Sequence, residues 1–139
     1  MDKRIYEKIM KRIGIIGRGF VGSAVEFGFS AQTGCDAQTK VYDKDPGKTI
    51  HTLEETVNDS DFIFLSVPTP SKNNGSMSVD ILESALNDIQ NVNKRNDNIV
   101  LIRSTVTPGT TTKLAKKFTK TNIVFNPEFL TERSAKFDF

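Results

Sequence analysis

The chain holds one cysteine, one histidine and no long apolar run, and each scarcity removes a class of protein. A single cysteine, Cys35, can form no internal disulfide and no thiolate metal site. The lone His51 stands without a cluster of other ligands around it in sequence, so no metal is expected. No apolar stretch approaches the roughly 20 residues needed to cross a bilayer. Met1-Asp2-Lys3-Arg4 leads into no continuous apolar segment, so no secretory signal is expected and the chain reads as cytoplasmic. Charge is also scarce in net terms. Nineteen Lys and Arg against 17 Asp and Glu leave +2, spread along the chain, which calls for neither nucleic acid nor a membrane as partner. No repeat is visible, and nothing sets an oligomeric state. What is present is 37% hydrophobic and 26% charged residues over 139 positions, the balance of one globular domain.

From Arg12 onward the chain alternates short apolar runs with amphipathic segments. Ile13 to Ile16, Lys40-Val41-Tyr42, Phe62 to Val67, Ile99 to Ile102 and Ile123-Val124-Phe125 read as strands. The run at 62–67 is almost wholly apolar, as a strand covered on both faces requires. Helices are expected at about 19–31, 53–58, 79–92 and 110–118, where apolar residues recur at helical spacing. Thr110 is the natural cap of the last of these. The expected fold is α/β: a doubly wound, Rossmann-type, mainly parallel sheet with helices on both faces. Residues 1–11 read as an N-terminal extension and 12–139 as the domain. One connection is unusually short. Only Lys44 to Gly47 separate the second strand from Lys48-Thr49-Ile50, too few for a crossover helix. The usual third strand is therefore either reached by a bare extended link or missing, and a short, irregular edge strand is the expectation.

The chemistry begins at Gly17-Arg18-Gly19-Phe20-Val21-Gly22, a G-x-G-x-x-G turn that follows a strand and opens a helix. Gly17 permits the tight turn, Gly19 lets the backbone approach a pyrophosphate, and Gly22 allows close helix–strand packing. Free N–H groups at the helix start favour the phosphates. Asp43 comes 21 residues after Gly22, at the end of the next strand, where a carboxylate accepts both ribose hydroxyls and repels a 2′-phosphate. The expected cofactor is therefore NAD. The same sheet edge collects Pro68-Thr69-Pro70, Ser104-Thr105 and Asn126-Pro127-Glu128, with Glu132 shortly after.

Four segments occur in a telling order: Gly14-Ile15-Ile16-Gly17-Arg18-Gly19-Phe20-Val21-Gly22, Ser66-Val67-Pro68-Thr69-Pro70, Ser104-Thr105-Val106-Thr107-Pro108-Gly109-Thr110-Thr111 and Asn126-Pro127-Glu128-Phe129-Leu130-Thr131-Glu132. Together they resemble the N-terminal half of the UDP-glucose/GDP-mannose dehydrogenase family. That family oxidises the C6 alcohol of a nucleotide sugar to a carboxylate, with two NAD and a thioester on a catalytic cysteine. The resemblance implies that Asp43 binds the adenosine ribose, and that Lys48 stands where a ribose-contacting lysine sits. It implies cofactor contacts from Phe20, Val21, Thr69 and Thr105, with Thr105 also ordering a catalytic water. Glu128 would act as acid/base near the reacting carbon, Glu132 would help bind cofactor or substrate, and the backbone of Phe129 and Leu130 would touch the sugar nucleotide.

The sequence departs from the family pattern in three ways. The long segment that members usually carry after the second strand is absent. Arg133 replaces a common glycine. The half carrying the nucleophilic cysteine, and most of the sugar-nucleotide pocket, does not follow. The chain is thus expected to be the NAD-binding part of a nucleotide-sugar dehydrogenase acting in polysaccharide biosynthesis, incomplete as an enzyme alone, meeting a UDP-sugar only together with the missing half. Cys35 is expected to lie far from the reaction. A helix of about 13 residues carries the chain roughly 20 Å away from the glycine turn before Cys35 is reached. The alternatives are a stand-alone NAD-binding regulatory module and the cofactor domain of another alcohol or hydroxyacid dehydrogenase.

Overall fold

The computed structural model describes residues 11–17, 37–70, 72–75, 78–104, 106 and 108–125. Within them lie five strands: β1 (Lys11–Ile16), β2 (Ala37–Tyr42), β3 (Phe62–Leu65), β4 (Ile99–Ile102) and β5 (Asn122–Phe125). All pair in parallel, in the spatial order β2-β1-β3-β4-β5. Among the described residues three helices lie between them: α1 (Leu53–Asn58), α2 (Asp80–Val92) and α3 (Pro108–Lys117). This is the expected doubly wound, Rossmann-type α/β sheet. The chain moves from β1 outward to β2, then returns across β1 to β3. That reversal leaves a crevice beyond the C-terminal ends of β1 and β3, where ligands bind in sheets of this kind.

The strand residues sort onto two faces by their period of two. Ile16, Ile63, Leu65, Val100 and Ile102 join Val57 of α1, Leu82, Leu86 and Ile89 of α2, and Leu114 of α3 in one core. Ile13, Ile15, Val41 and Phe64 form a second buried cluster on the opposite face. The helix expected at 19–31 lies outside the described residues. Ile63, Phe64 and Leu65 are buried in succession, as their unbroken apolar run requires. Gly14 makes the close packing of α1 possible: a Cβ there would stand 2.6 Å from Ser60 Oγ and 2.9 Å from the Thr56 carbonyl oxygen.

Helix starts follow local chemistry. The Oγ of Thr52 accepts the Glu55 N–H at the start of α1, with Glu54 and Glu55 in its positive first turn. The last helix begins at Pro108, two residues before the cap expected at Thr110. Proline suits the first helical position, because its φ is already set and it has no N–H to leave unpaired.

The expected edge strand at Lys48-Thr49-Ile50 is not formed. Instead the Lys48 and Thr49 N–H groups both donate to the Asp45 carbonyl, closing a turn. The N–H groups of Ile50 and His51 then converge on the Val41 carbonyl at 3.2 and 2.8 Å. The Val41 N–H donates to His51 Nδ1 at 3.0 Å. So short a connection returns at once to the outer edge of β2, and the imidazole takes the place of a neighbouring strand there.

The opposite end of the sheet is tied by Arg95. Its Nη1 donates to the Ser60 carbonyl, its Nη2 to Asp61 Oδ1 at 2.8 Å and its Nε to Asp97 Oδ1 at 2.9 Å. Arg12 of β1 also reaches Asp61, at 3.2 Å. Burial works to raise the Asp61 carboxyl, but the hydrogen bonds from Arg95 and Arg12 outweigh it and hold the group below the usual carboxylate range. Buried Asn98 adds a bond to the Val57 carbonyl at the end of α1.

Candidate functional site

The site is built where β1 and β3 end side by side. Gly17 follows β1 with φ +93°, in the left-handed region that glycine adopts without strain. Its N–H donates to the Tyr42 carbonyl of β2 at 3.0 Å, which turns the chain over the end of the sheet. A Cβ on Gly17 would stand 1.9 Å from the Ser66 carbonyl oxygen, so no side chain fits. The two backbones meet at the switch point itself.

The segment after β3 is fixed from β4. The Ser104 hydroxyl is buried, donates to the Val67 carbonyl at 2.8 Å and accepts the Val67 N–H at 3.1 Å. This side chain continues the β3–β4 pairing beyond the last backbone bond, between Arg103 N–H and the Leu65 carbonyl. It thereby holds Val67 and Pro68 at the rim of the crevice.

A cleft of about 260 Å³ opens at this edge, lined among others by Gly17, Asp43, Lys48 and Ser66. Asp43 is positioned by its own turn. Its Oδ1 accepts the Asp45 N–H at 2.8 Å, and Asp45 Oδ1 in turn accepts the Gly47 N–H at 2.9 Å. The carboxylate is held at the cleft wall before any ligand arrives, which lowers the ordering cost of binding.

Of the residues expected from sequence, Gly17, Asp43 and Lys48 come together in this cleft. Thr69 is half-buried and follows Pro68, which lines the cleft, but Thr69 is not part of the lining. Gly19, Phe20, Val21, Gly22, Thr105, Glu128, Phe129, Leu130 and Glu132 lie outside the described residues, as does Cys35. The sequence reading missed Leu53 of α1 and Ile81, Ala85 and Asp88 of α2, which form a further wall. Their signal was present: 81, 85 and 88 follow i, i+4, i+7, one stripe along a helix. His51 does not line the cleft; its Nδ1 serves the edge of β2.

The arrangement fits a dinucleotide. The approach at Gly17 leaves bare backbone at the rim, a carboxylate waits along the wall, and the remaining wall is largely apolar. Among the described residues, no cluster of His, Cys, Asp or Glu could hold a metal ion. None of the described helices is long and apolar enough to cross a membrane.

Comparison with known proteins agrees with this geometry. Residues 47–139 match the model of the UDP-glucose/GDP-mannose dehydrogenase family, NAD binding domain. An uncharacterized protein of Methanocaldococcus jannaschii, MJ1054, is 31% identical over 156 aligned positions, covering 91% of this chain and 17% of its own length. Those positions outnumber this chain's 139 residues, so the relative carries residues inserted against this chain. The UDP-glucose 6-dehydrogenase of Campylobacter jejuni is 37% identical over 87 residues, covering 62% of this chain and 22% of its own. A ternary-complex crystal structure of GDP-mannose dehydrogenase from Pseudomonas aeruginosa superposes with a TM-score of 0.77 at 25% identity, over 92% of this chain and 38% of that one. The chain thus spans about a fifth of the length of these curated relatives. A family match over most of the chain, joined to a glycine turn and an acid at the same sheet edge, places the protein in the UDP-glucose/GDP-mannose dehydrogenase family, as an NAD-binding domain.

Proposed function

We propose that this chain supplies the cofactor half of an NAD-dependent nucleotide-sugar dehydrogenase that oxidises the C6 alcohol of a UDP-sugar, UDP-glucose in the first instance, to a carboxylate. The observation that carries the reading is the cleft shared by Gly17, at the switch point, and Asp43, on the wall. In this reading residues 12–139 form the domain and residues 1–11 an extension. Asp43 accepts the ribose hydroxyls, Lys48 adds a cation beside them, and Gly17, Gly19 and Gly22 leave room for the pyrophosphate with Phe20 and Val21 between. NAD held by these residues would supply the hydride acceptor; the protein's own residues bind, orient and move protons.

Thr69 and Thr105 donate hydrogen bonds at the reacting end, and Thr105 orders a water. Glu128 handles the proton of the C6 hydroxyl, Glu132 helps hold cofactor or substrate, and the Phe129 and Leu130 backbone meets the sugar nucleotide. Support for this placement comes from β5, which runs parallel to β4 and ends at Phe125 opposite Ile102, at the cleft edge of the sheet. The choice of UDP-glucose is supported by the Campylobacter relative, 37% identical over 87 residues.

The test is calorimetric titration of the chain with NAD, together with NADH formation from UDP-glucose and from GDP-mannose. NAD binding without turnover is the expected result for this chain alone, unchanged by Cys35→Ser. Turnover abolished by that substitution would overturn the division of labour. GDP-mannose oxidation in preference to UDP-glucose by a longer form of the protein would overturn the sugar.

A further inference from the structure

The loop between β3 and α2 returns to its own start. The Ser78 N–H donates to the Pro70 carbonyl at 2.7 Å, so the two feet of the loop meet. Just outside those feet, Pro68 and Ile81 both line the cleft that holds Gly17 and Asp43. Within the loop the Gly75 N–H donates to the Lys72 carbonyl at 2.9 Å, a turn with Asn73 and Asn74 at its central positions. Lys72, Asn73, Asn74 and Gly75 are all exposed.

Asn74-Gly75 is the one place in the sequence where glycine follows asparagine. Asparagine is a thermolabile residue. The backbone nitrogen that follows it can attack its side-chain amide, and a side chain beside that nitrogen obstructs the approach. Every other asparagine of the chain is followed by a residue that carries such a side chain. Gly75 carries none. Its φ is +85°, and nothing stands within 4 Å of where a Cβ would be, so the space that a new ring needs is open.

We propose that Asn74 is a site of spontaneous deamidation, a modification that places a new carboxylate on the loop footed at the cleft. The Gly75 nitrogen bonds to Asn74 Cγ, the Cγ–Nδ2 bond breaks, and Nδ2 leaves as ammonia, taking up the Gly75 amide proton. Water then opens the succinimide ring. Addition at Cγ gives aspartate, and addition at the main-chain carbonyl gives isoaspartate. Water is consumed and ammonia released, with no oxidant and no cofactor. The turn resists the first step, since the Gly75 N–H must let go of the Lys72 carbonyl. One exposed hydrogen bond slows the attack by about tenfold at most, and exposed loops open at little cost. The proposal does not depend on what the cleft binds.

The experiment is incubation of the folded chain in mildly alkaline buffer, with peptide mass spectrometry over time. Isoaspartate is counted by enzymatic methyl transfer from S-adenosylmethionine. The unfolded chain in urea, Asn74→Gln and Gly75→Ala are run beside it. Asn74 is expected to convert ahead of every other asparagine, within about tenfold of its rate in urea, to a mixture of aspartate and isoaspartate. Asn74→Gln should abolish that conversion and Gly75→Ala should slow it. An intact Asn74 in the folded chain, whether or not it converts in urea, overturns the assignment. So does earlier conversion at another asparagine, or isoaspartate appearing at the full rate in Asn74→Gln. The unaltered chain decides the matter even where a variant disturbs the loop.

Discussion

The α-carbon of Gly17 faces the Ser66 carbonyl so closely that a methyl group on it would stand 1.9 Å from that oxygen. β1 and β3 can end side by side because position 17 carries no side chain. Gly17→Ala adds a left-handed backbone penalty of about 1–2 kcal/mol to a contact that only movement of a strand end relieves. A loss of roughly 3 kcal/mol or more is expected in urea denaturation. Gly109→Ala is the control. Nothing stands within 4 Å of a Cβ there, and the residue lies in the first turn of α3, so a gain of about 0.5 kcal/mol is expected. Equal midpoints for the two variants would refute the close approach.

Cofactor choice is expected to follow Asp43. NAD should bind more tightly than NADP, since the carboxylate repels a 2′-phosphate. Because Oδ1 also accepts the Asp45 N–H, Asp43→Ala loosens the turn as well as removing charge. Asp43→Asn keeps an acceptor for that turn, so it isolates the charge. It should narrow the NAD/NADP ratio by about tenfold, a figure set by one charge-assisted bond. Competitive titration of both dinucleotides measures this, and a ratio that survives Asp43→Asn would assign selectivity elsewhere.

Acid should find the weak point at Asp61. Its folded-state pKa lies below the ordinary value, so its contribution is present above the unfolded pKa of about 3.9. The contribution fades as pH falls from there through the lower, folded value. Thermal melts between pH 6 and pH 2.5 should show a steep drop below about pH 4, and Asp61→Asn should flatten it. A variant that melts in parallel with the unaltered chain at every pH would exclude the Arg95–Asp61–Arg12 bonds as its source.

His51→Ala should destabilise the chain by about 1–2 kcal/mol, because the Val41 N–H loses its acceptor beside a buried strand residue. Amide hydrogen exchange at Val41 should quicken in the same variant. Protection unchanged from the parent chain would show that the imidazole is dispensable.

The core of the sheet was legible in the sequence because parallel strands covered on both faces must be apolar without interruption. Phe62 to Leu65 shows this plainly, and α1 falls at the expected 53–58. The parallel pairing followed from strands separated by helical segments. What could not be read was the outer edge of β2. That an imidazole, rather than a strand, would meet the Val41 N–H depends on where a ten-residue link lands in space, which no local propensity encodes. The Asp88 stripe was hidden for another reason. Ile81 and Ala85 are apolar, and by pattern alone they merge with the core residues beside them. Only the placement of α2 separates the stripe facing the sheet from the stripe facing the cleft.

The pairing of Val41 with the 50–51 backbone and the His51 ring has a consequence for how such a chain can change. Val41 offers the same outward N–H and C=O that another strand would use, and here both are plugged by a hairpin-sized return. Residues can therefore be spliced into or out of this link as a cassette. A longer link would have the length to lay a strand against β2, where this short one caps the edge with backbone and an imidazole. The outer margin of the sheet thus works as an expansion joint, taking up differences in chain length while the Gly17–Asp43 edge holds its geometry.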